Sequence, residues 1–353
     1  MVNRFFTNIF NVGDDDYERE IDYFQTLMGY YITGETEAKA FTIFHGDSGD
    51  NGKSTICTYI DNALSKDFSA PIDKTVVTKN KYKNEFKTFM VSRAKNRLCY
   101  IDEFNDDDVI DMGEIKKMVS PNAVIQMRDL GKTSEDYKLQ CKFILISNDV
   151  PKFSSTGQAT DARLIMVPFD ISFRAKGSKG YIEGGINQKD PDQKLMEELD
   201  MNPDYFLYWL VEGAKKYYKN GKRSICENIP IRFINKKEEQ MKESDPFINW
   251  LSCNCDINGG FETEAQDLYD NYSDFCEDND LVELKKQNFG IKLTKHNFKK
   301  CGGQGKKRRG LRLKPNVESN DKIDYECLID TKDDNLLDDY DLPYLEDKKS
   351  FFD

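Results

Sequence analysis

A glycine-rich segment constrains this sequence more than any other feature. Residues Gly46 to Thr55 read GDSGDNGKST and begin at the last residue of AFTIFHG, an apolar, β-branched and aromatic run that is typical of a buried strand. The segment STICTYIDNAL, which overlaps the end of the loop, has apolar residues at helical spacing. Strand, glycine-rich loop and helix form the context in which backbone N–H groups bind phosphate.

The spacing inside this loop departs from the usual pattern G-x-x-x-x-G-K-[ST]. Five residues, Asp47 to Asn51, separate Gly46 from Gly52, one more than the pattern has. We interpret the segment as a working loop with a tolerated insertion. A surface turn is the alternative, because Asp, Ser, Asn and Gly are also turn residues. The residues that we assign to nucleotide binding are Gly46, Gly49, Asp50, Asn51, Gly52, Lys53, Ser54 and Thr55.

The residue types in the loop predict separate tasks. Glycine lets the backbone approach an anion closely at unusual backbone angles. Lys53 would reach the β- and γ-phosphates of the nucleotide, and the hydroxyl of Ser54 would ligate Mg²⁺.

An acid pair lies about fifty residues downstream of the loop. The segment LCYIDEF is an apolar strand that ends in Asp102 and Glu103. We expect Asp102 to hold Mg²⁺ through water and Glu103 to polarise the attacking water. The alternative for such a pair is a solvated strand end.

Two further polar residues adjoin apolar runs. Asn148 follows the strand candidate KFILIS and could orient the attacking water or sense the γ-phosphate. Arg163 follows TGQATDA, opens the run RLIMVPF, and could neutralise transition-state charge in a neighbouring subunit. An ordinary turn and an edge-strand salt bridge are the respective alternatives.

Length and composition set the frame. The chain has 353 residues, 38% of them hydrophobic and 32% charged, which permits two or three units with real cores. Apolar strand candidates alternate with helical segments, and this order predicts an α/β fold with a mostly parallel sheet. No apolar run is long enough to span a bilayer, and no signal-like segment follows Met1.

The cysteines point to an intracellular protein. All 9 are scattered singly, and the closest pair, Cys253 and Cys255, lacks the second half of a zinc site. We therefore expect reduced thiols in a soluble, intracellular protein.

The net charge of −12 is a sum over segments of opposite charge. Residues 285–314 contain no acidic residue, and their basic residues are Lys285, Lys286, Lys292, Lys295, Lys299, Lys300, Lys306, Lys307, Arg308, Arg309, Arg312 and Lys314. After Pro315 the chain becomes acidic, as in DDNLLDDYDLPYLED. The basic block predicts contacts with nucleic-acid phosphates. Contact with the acidic tail or with a partner protein is the alternative.

The motifs together resemble those of the superfamily 3 helicases, above all the poxvirus-type and the phage and plasmid primase–helicases. The resemblance covers roughly residues 20–315. It rests on GDNGKST, YIDEF, DARLIMVPF and EIKKMVSPNAVIQMRDLGKTSEDYKLQCKFILISNDVP. In the last segment the family positions are occupied by Lys117, Arg128, Lys132, Lys142, Asn148 and Pro151.

The resemblance implies a fold and an activity. It implies a P-loop, AAA+-like ATPase core in a hexameric ring, which uses ATP and Mg²⁺ to move on single-stranded or forked DNA. Lys117 would join the catalytic residues and Lys132 would grip DNA from a hairpin. Partners would include a primase or other replication proteins, and no membrane. The protein would lie in the cytoplasm or at a viral replication site, with the host nucleus as an alternative.

The same resemblance divides the chain into five parts. We expect an N-terminal helical collar over 1–35, the ATPase core over 36–175 and a helical segment over 176–244. A winged-helix-like unit follows over 245–315, and an acidic, mobile tail over 316–353. The DNA-binding residues expected in the winged-helix-like unit are Lys285, Lys286, Lys292, Lys295, Lys306, Lys307, Arg308 and Arg309.

Two other functions fit part of these features. A small-molecule kinase could use the same loop, but it would not need the basic C-terminal unit. An ATP-binding initiator or regulator of DNA replication could switch state without unwinding DNA.

The opposed charge blocks generate one prediction. Deleting residues 316–353 should tighten binding to DNA, because an acidic tail competes with phosphates for the basic block. Titration of labelled DNA with the full and the shortened chain measures the effect. Unchanged affinity would show that the tail does not cover the basic residues.

Overall fold

A computed structural model describes most of the chain up to residue 315. The described residues are 1–13, 16–79, 90, 93, 95–102, 104, 108–127, 133, 135–149, 151–154, 162–183, 185, 187–221, 224–243, 245–279, 281 and 283–315. The predicted acidic tail lies outside them.

Helices and strands alternate over the first half of this part, and helices dominate thereafter. The helices are α1 (Val2–Phe10), α2 (Tyr17–Tyr31), α3 (Lys53–Leu64), α4 (Met112–Met118), α5 (Gln193–Met201), α6 (Pro203–Asn220), α7 (Ser224–Glu227), α8 (Ile231–Glu243), α9 (Pro246–Asn254), α10 (Ala265–Asp278) and α11 (Lys286–Lys295). The strands are β1 (Phe41–His45), β2 (Ser69–Pro71), β3 (Leu98–Ile101), β4 (Val109–Ile110), β5 (Val124–Met127), β6 (Glu135–Lys138), β7 (Lys142–Ser147), β8 (Lys152–Phe153), β9 (Leu164–Pro168), β10 (Ser172–Phe173), β11 (Gln188–Lys189), β12 (Cys255–Glu264), β13 (Lys300–Cys301) and β14 (Lys307–Leu313).

The centre of the fold is a five-stranded sheet with the order β2-β3-β7-β1-β9. All four pairings are parallel. Every residue of β1, β7 and β9 is buried, as expected for parallel strands covered on both faces. The α/β class with a parallel sheet is therefore confirmed, and so are the three strands predicted from AFTIFHG, KFILISND and RLIMVPF.

Alternate residues of these strands enter two different cores. In β7, Ile144 and Ile146 face the core that contains helices α1, α2, α3 and α6. Phe143 and Leu145 face a second core with residues of α4. The period of two along a strand thus distributes one apolar run between both faces of the sheet.

The N-terminal helices belong to the first of these cores. Phe6 and Phe10 of α1 contact the ring of Phe24 in α2, at centroid distances of 5.2 Å in both cases. Phe24 in turn lies 5.7 Å from the ring of Phe44 in β1. Helices α1 and α2 therefore pack directly on the sheet that carries the glycine-rich loop.

Helices α2 and α6 cross at a pair of glycines. A Cβ atom on Gly29 would lie 2.0 Å from the carbonyl carbon of Gly213, and one on Gly213 would lie 2.0 Å from the carbonyl oxygen of Gln25. Real Cβ atoms do not approach backbone atoms so closely, so only glycine permits this contact between the helix axes.

Residues 245–315 form a smaller core of their own. Strands β12, β14 and β13 pair in an antiparallel sheet in that order, and helices α9, α10 and α11 cover it. Trp250, Tyr272 and Phe289 are fully or almost fully buried at its centre. The sequence predicts two helices in this unit, over 264–276 and 285–295, and both are present as α10 and α11.

No helix in the described ranges is long and apolar enough to cross a membrane.

The glycine crossing generates a stability prediction. Gly29→Ala or Gly213→Ala should lower the free energy of unfolding by about 2 kcal/mol or more, because the added methyl group forces the backbones of α2 and α6 apart. Gly259→Ala is the matched control, since a Cβ atom there meets nothing within 4 Å. Chemical denaturation compares the three variants. A loss at Gly259 as large as that at Gly29 would contradict the steric explanation.

Candidate nucleotide site

The parallel register brings three polar strand ends to one edge of the sheet. His45, the last residue of β1, is paired with Ser147, the last residue of β7. Ile101 at the end of β3 is paired with Leu145. Gly46, Asn148 and Asp102 are the residues that follow these three strands. In open α/β sheets, ligands bind at the carboxyl ends of the strands, where the strand order reverses.

The side chain of Lys53 connects two of these strand ends. Its ammonium group donates to the carbonyl oxygen of Gly46 at 3.1 Å, to Oδ1 of Asn51 at 2.7 Å and to Oδ1 of Asn148 at 2.8 Å. Lys53 is 4% exposed, although it is the first residue of α3. The predicted phosphate-binding lysine and the predicted sensor asparagine are thus in direct contact.

Two residues of the loop pack against the segment that follows β9. A Cβ atom on Gly46 would lie 2.5 Å from the carbonyl oxygen of Phe169, so this position requires glycine. The buried amide of Asn51 donates to the carbonyl oxygens of Ser48 and Phe169. The side chain of Asn51 therefore holds the loop against the segment after β9 and faces the protein.

The additional length of the loop lies in its exposed part. Asp47, Gly49 and Asp50 are exposed, and Gly49 has open space around it. Asp50 adopts a left-handed conformation with φ of 62°. Its carbonyl oxygen accepts from the N–H of Phe173 at 2.7 Å, which ties the exposed part to β10. Lys53 at the end of this loop is nevertheless buried and hydrogen-bonded.

Ser54 and Asp102 provide oxygen atoms suited to Mg²⁺. The hydroxyl of Ser54 is exposed and donates to Oδ2 of Asp102 at 3.3 Å. Mg²⁺ is usually held by one or two protein oxygens together with phosphate and water. The pair could therefore hold a cation whose remaining ligands are phosphate and water. Within the described ranges, no cluster of three or more His, Cys, Asp or Glu side chains could hold a metal.

Arg163 lies at the opposite edge of the sheet. Its carbonyl oxygen accepts from the N–H of Phe41, the first residue of β1. β9 begins directly after Arg163 and pairs with β1 from Phe41 to His45. Five strand residues at roughly 3.3 Å each separate Arg163 from the loop edge by about 16 Å. This arginine is remote from the loop of its own chain.

The remaining predicted site residues make no side-chain hydrogen bond or ion pair with Lys53, Ser54 or Asp102 among those that the structure describes. Lys117 is exposed at the end of α4 and pairs with Glu114 of the same helix at 2.7 Å. Glu103 and Lys132 lie outside the described residues. Thr55 is half-buried in the first turn of α3.

Two basic residues that the sequence did not single out contact the loop. The ammonium group of Lys236 lies 3.8 Å from Oδ2 of Asp47, and Nε of Arg174 lies 3.4 Å from Oδ2 of Asp50. Both acids lie in the exposed part of the loop. Lys236 and Arg174 lie more than a hundred residues further along the chain, so no local motif indicates them.

The basic residues of the C-terminal unit, residues 245–315, are either exposed or bound to other groups of the unit. Lys285, Lys286, Lys295, Lys306 and Arg309 are exposed. Arg309 also pairs with Glu262 at 2.9 Å. Lys307 is half-buried on β14.

Lys292 and Arg308 hold the C-terminal unit together. Arg308 is 3% exposed and donates to Oγ1 of Thr294 and to the carbonyl oxygens of Phe298 and Gly290. Lys292 pairs with Asp245, whose carboxylate also caps α9. We therefore leave these two side chains out of the proposed DNA surface.

The site as a whole belongs to a mixed α/β protein with a parallel sheet, which is consistent with an α/β nucleotide-binding fold. Residues 44–163 match a family of unknown function, DUF5906. This range contains the loop, the acid pair, Asn148 and Arg163.

Proteins of three large DNA viruses are similar to the chain. One, named "Putative helicase", is from Acanthamoeba polyphaga mimivirus and is 27% identical over 57% of this chain and 21% of its own length. A second "Putative helicase", from Invertebrate iridescent virus 6, is 29% identical over 44% of this chain and 16% of its own. A "Putative primase" of African swine fever virus is 22% identical over 51% of this chain and 19% of its own.

The chain thus spans about a fifth of the length of these relatives. Among solved structures, the apo A form of the NrS-1 C-terminal region matches with 12% identity and a TM-score of 0.42, over 89% of this chain and 75% of that one. The likeness to viral helicases and primases that the motifs indicate is confirmed by the three sequence relatives.

The position of Lys53 generates a pH prediction. Burial lowers the pKa of Lys53 from 10.5 to about 8, although the carboxylates of Asp47, Asp102 and Asp149 raise it. The ammonium group therefore loses its charge as the pH rises through about 8, well below the range of an exposed lysine. The affinity for tripolyphosphate should fall about tenfold between pH 7 and pH 9. Calorimetric titration at several pH values measures this affinity. The Lys53→Ala variant lacks the ammonium group, so it should bind tripolyphosphate weakly and with an affinity that changes little with pH. A wild-type affinity that stays constant up to pH 9 would contradict the assignment.

Proposed function

We propose that the chain is an ATP-dependent DNA helicase of the superfamily 3 type that translocates on single-stranded DNA as a hexameric ring during replication of a virus or mobile element. The observation that carries the proposal is the convergence of Lys53, Asn148, Ser54 and Asp102, described above, at one edge of a parallel sheet. The names of the viral relatives support an enzyme with a helicase or primase-like role.

The proposed nucleotide lies along the loop and the first turn of α3. The N–H groups at the start of a helix have no partners within the helix and favour an anion. Lys53 would exchange one of its three neutral oxygen acceptors for a phosphate oxygen, which binds an ammonium group more strongly. Ser54 and Asp102 would hold Mg²⁺ against the same phosphates.

The contact between Lys53 and Asn148 suggests how binding and sensing are linked. When the ammonium group turns toward phosphate, the amide of Asn148 is released to orient the attacking water or contact the γ-phosphate. Glu103, adjacent to Asp102 in the sequence, is the proposed group that polarises this water.

Arg163 is proposed to act on a neighbouring subunit. Its position at the amino edge of the sheet keeps it about 16 Å from the loop of its own chain. A ring in which the amino edge of one subunit meets the carboxyl edge of the next would bring arginine and nucleotide together.

The C-terminal unit is proposed to contact duplex DNA at a fork. Its order of elements, α9-β12-α10-α11-β13-β14, supports a winged-helix-like interpretation. A cavity of about 650 Å³ is lined by Lys286 and Lys295 of α11 and by Lys300 of β13. Lysine side chains grip phosphate without reading the base sequence.

An ATP-binding initiator or regulator is the second candidate. The same loop and the same basic unit would serve a protein that changes state when it binds ATP and does not unwind DNA. Strand displacement on a forked duplex distinguishes the two, because only the motor separates the strands.

The test is steady-state ATP hydrolysis at several protein concentrations, with and without single-stranded DNA. The specific ATPase activity should rise when single-stranded DNA is added, because a translocating motor couples ATP hydrolysis to movement along the DNA. It should also rise with protein concentration, because the site needs Arg163 of a second subunit. Lys53→Ala should abolish turnover.

Arg163→Ala sharpens this test. When the Arg163→Ala variant is mixed with the inactive Lys53→Ala variant, part of the ATP hydrolysis should return. Mixed rings contain sites in which the loop of one subunit and the arginine of its neighbour are both intact. Turnover that is independent of concentration, and mixtures without rescue, would refute the role in trans. Nucleotide binding without DNA-stimulated turnover would favour the regulator.

A further inference from the structure

A cavity next to the glycine-rich loop is separate from the groups assigned to phosphate and metal. It has a volume of about 210 Å³ and lies between α1, the loop, the start of α3, β10 and the start of α5. Its apolar lining consists of Phe5, Phe173, Pro191, Leu195 and Met196. Gly52 and Thr55, which are among the predicted nucleotide-binding residues and flank Lys53 and Ser54, also line it.

The charged groups in the cavity wall already have partners within the protein. The carboxylate of Asp192 pairs with Arg4 and accepts from the N–H of Leu195. The carboxylate of Asp50 lies 3.4 Å from Arg174. Acidic groups would in any case repel phosphate, so the cavity suits an uncharged part of a ligand whose phosphates lie on the loop.

One polar side chain in the wall is available to a ligand. Asn8 is half-buried, and among the described residues no hydrogen bond involves its amide group, while its carbonyl oxygen accepts from Lys189. An asparagine amide can donate and accept at once, and this is the pattern that adenine presents along one edge.

The aromatic wall of the cavity packs against other rings of the core. The ring of Phe5 lies 5.5 Å from Tyr59 and 6.2 Å from Phe206, both at steep interplanar angles. An aromatic ring held in this way offers a preformed surface on which a flat base can stack. The volume is below the usual range for drug-sized ligands and suits a single base.

We infer that this cavity binds the base of the nucleotide and that Asn8 selects adenine over guanine. The inference rests on the proposed function, because it places the phosphates on the loop. It adds a specificity residue from α1, an element that contains none of the phosphate-binding motifs.

The first experiment is calorimetric titration of the full chain, in the presence of Mg²⁺, with ATP, GTP, CTP, UTP and tripolyphosphate. ATP should bind at least about tenfold more tightly than GTP or tripolyphosphate, since a bidentate contact to a base gives discrimination of this order. Equal affinities for all five would overturn the base site and leave the phosphate site standing. If none of the five binds, the proposed function fails and the base site fails with it.

Asn8→Asp tests the specificity residue. A carboxylate accepts two hydrogen bonds and suits the paired donors of guanine, so the preference should shift toward GTP by about tenfold or more. The added negative charge should weaken ATP, GTP and tripolyphosphate binding alike, so it does not alter the ratio of ATP to GTP affinity, and the tripolyphosphate binding that remains verifies the fold of the variant. An unaltered ratio of ATP to GTP affinity would exclude Asn8 as the selecting group.

Met196→Trp tests the cavity independently. The larger side chain should fill the space and reduce ATP affinity to that of tripolyphosphate. Met201→Trp is the matched control on the same helix, because Met201 is 76% exposed and lies outside the cavity. ATP affinity that survives in Met196→Trp, or falls equally in both variants, would refute the location.

Discussion

The parallel pairing of β1 with β7 and β9 is the constraint on which the rest of the structure depends. It places Gly46 and Asn148 at neighbouring strand ends, within reach of one ammonium group. Nothing in the loop alone could position an asparagine that lies 95 residues away in the sequence. The site is therefore a property of the sheet, and the loop contributes one of its components.

Much of the sheet could be predicted because its signals are local. Buried parallel strands are short apolar runs, and the runs that became β1, β7 and β9 stand out against the polar segments around them. The loop residues and the polar residues after the strands could be proposed for the same reason. Their mutual distances could not, because register and strand order depend on packing between distant segments.

The rest of the site depends on contacts between distant segments, which no local sequence pattern indicates. Charge counting placed Arg308 with the surface cations, yet burial and three oxygen acceptors make it a structural group. Lys236 and Arg174 contact the loop only because α8 and β10 pack beside it. Likewise, α1 could be predicted as a helix, but its place beside the loop follows from the fit of Phe6, Phe10 and Phe24.

The position of Arg163 at the far edge of the sheet has a genetic consequence. If this arginine completes a neighbour's site, a chain that lacks it keeps its own loop and damages the next subunit instead. Head-to-tail contacts form a closed ring where the rotation between subunits closes, and in such a ring each subunit would donate to one neighbour and receive from the other. A defective copy expressed beside the normal one would then be incorporated into rings and inhibit them, and so act as a dominant-negative allele.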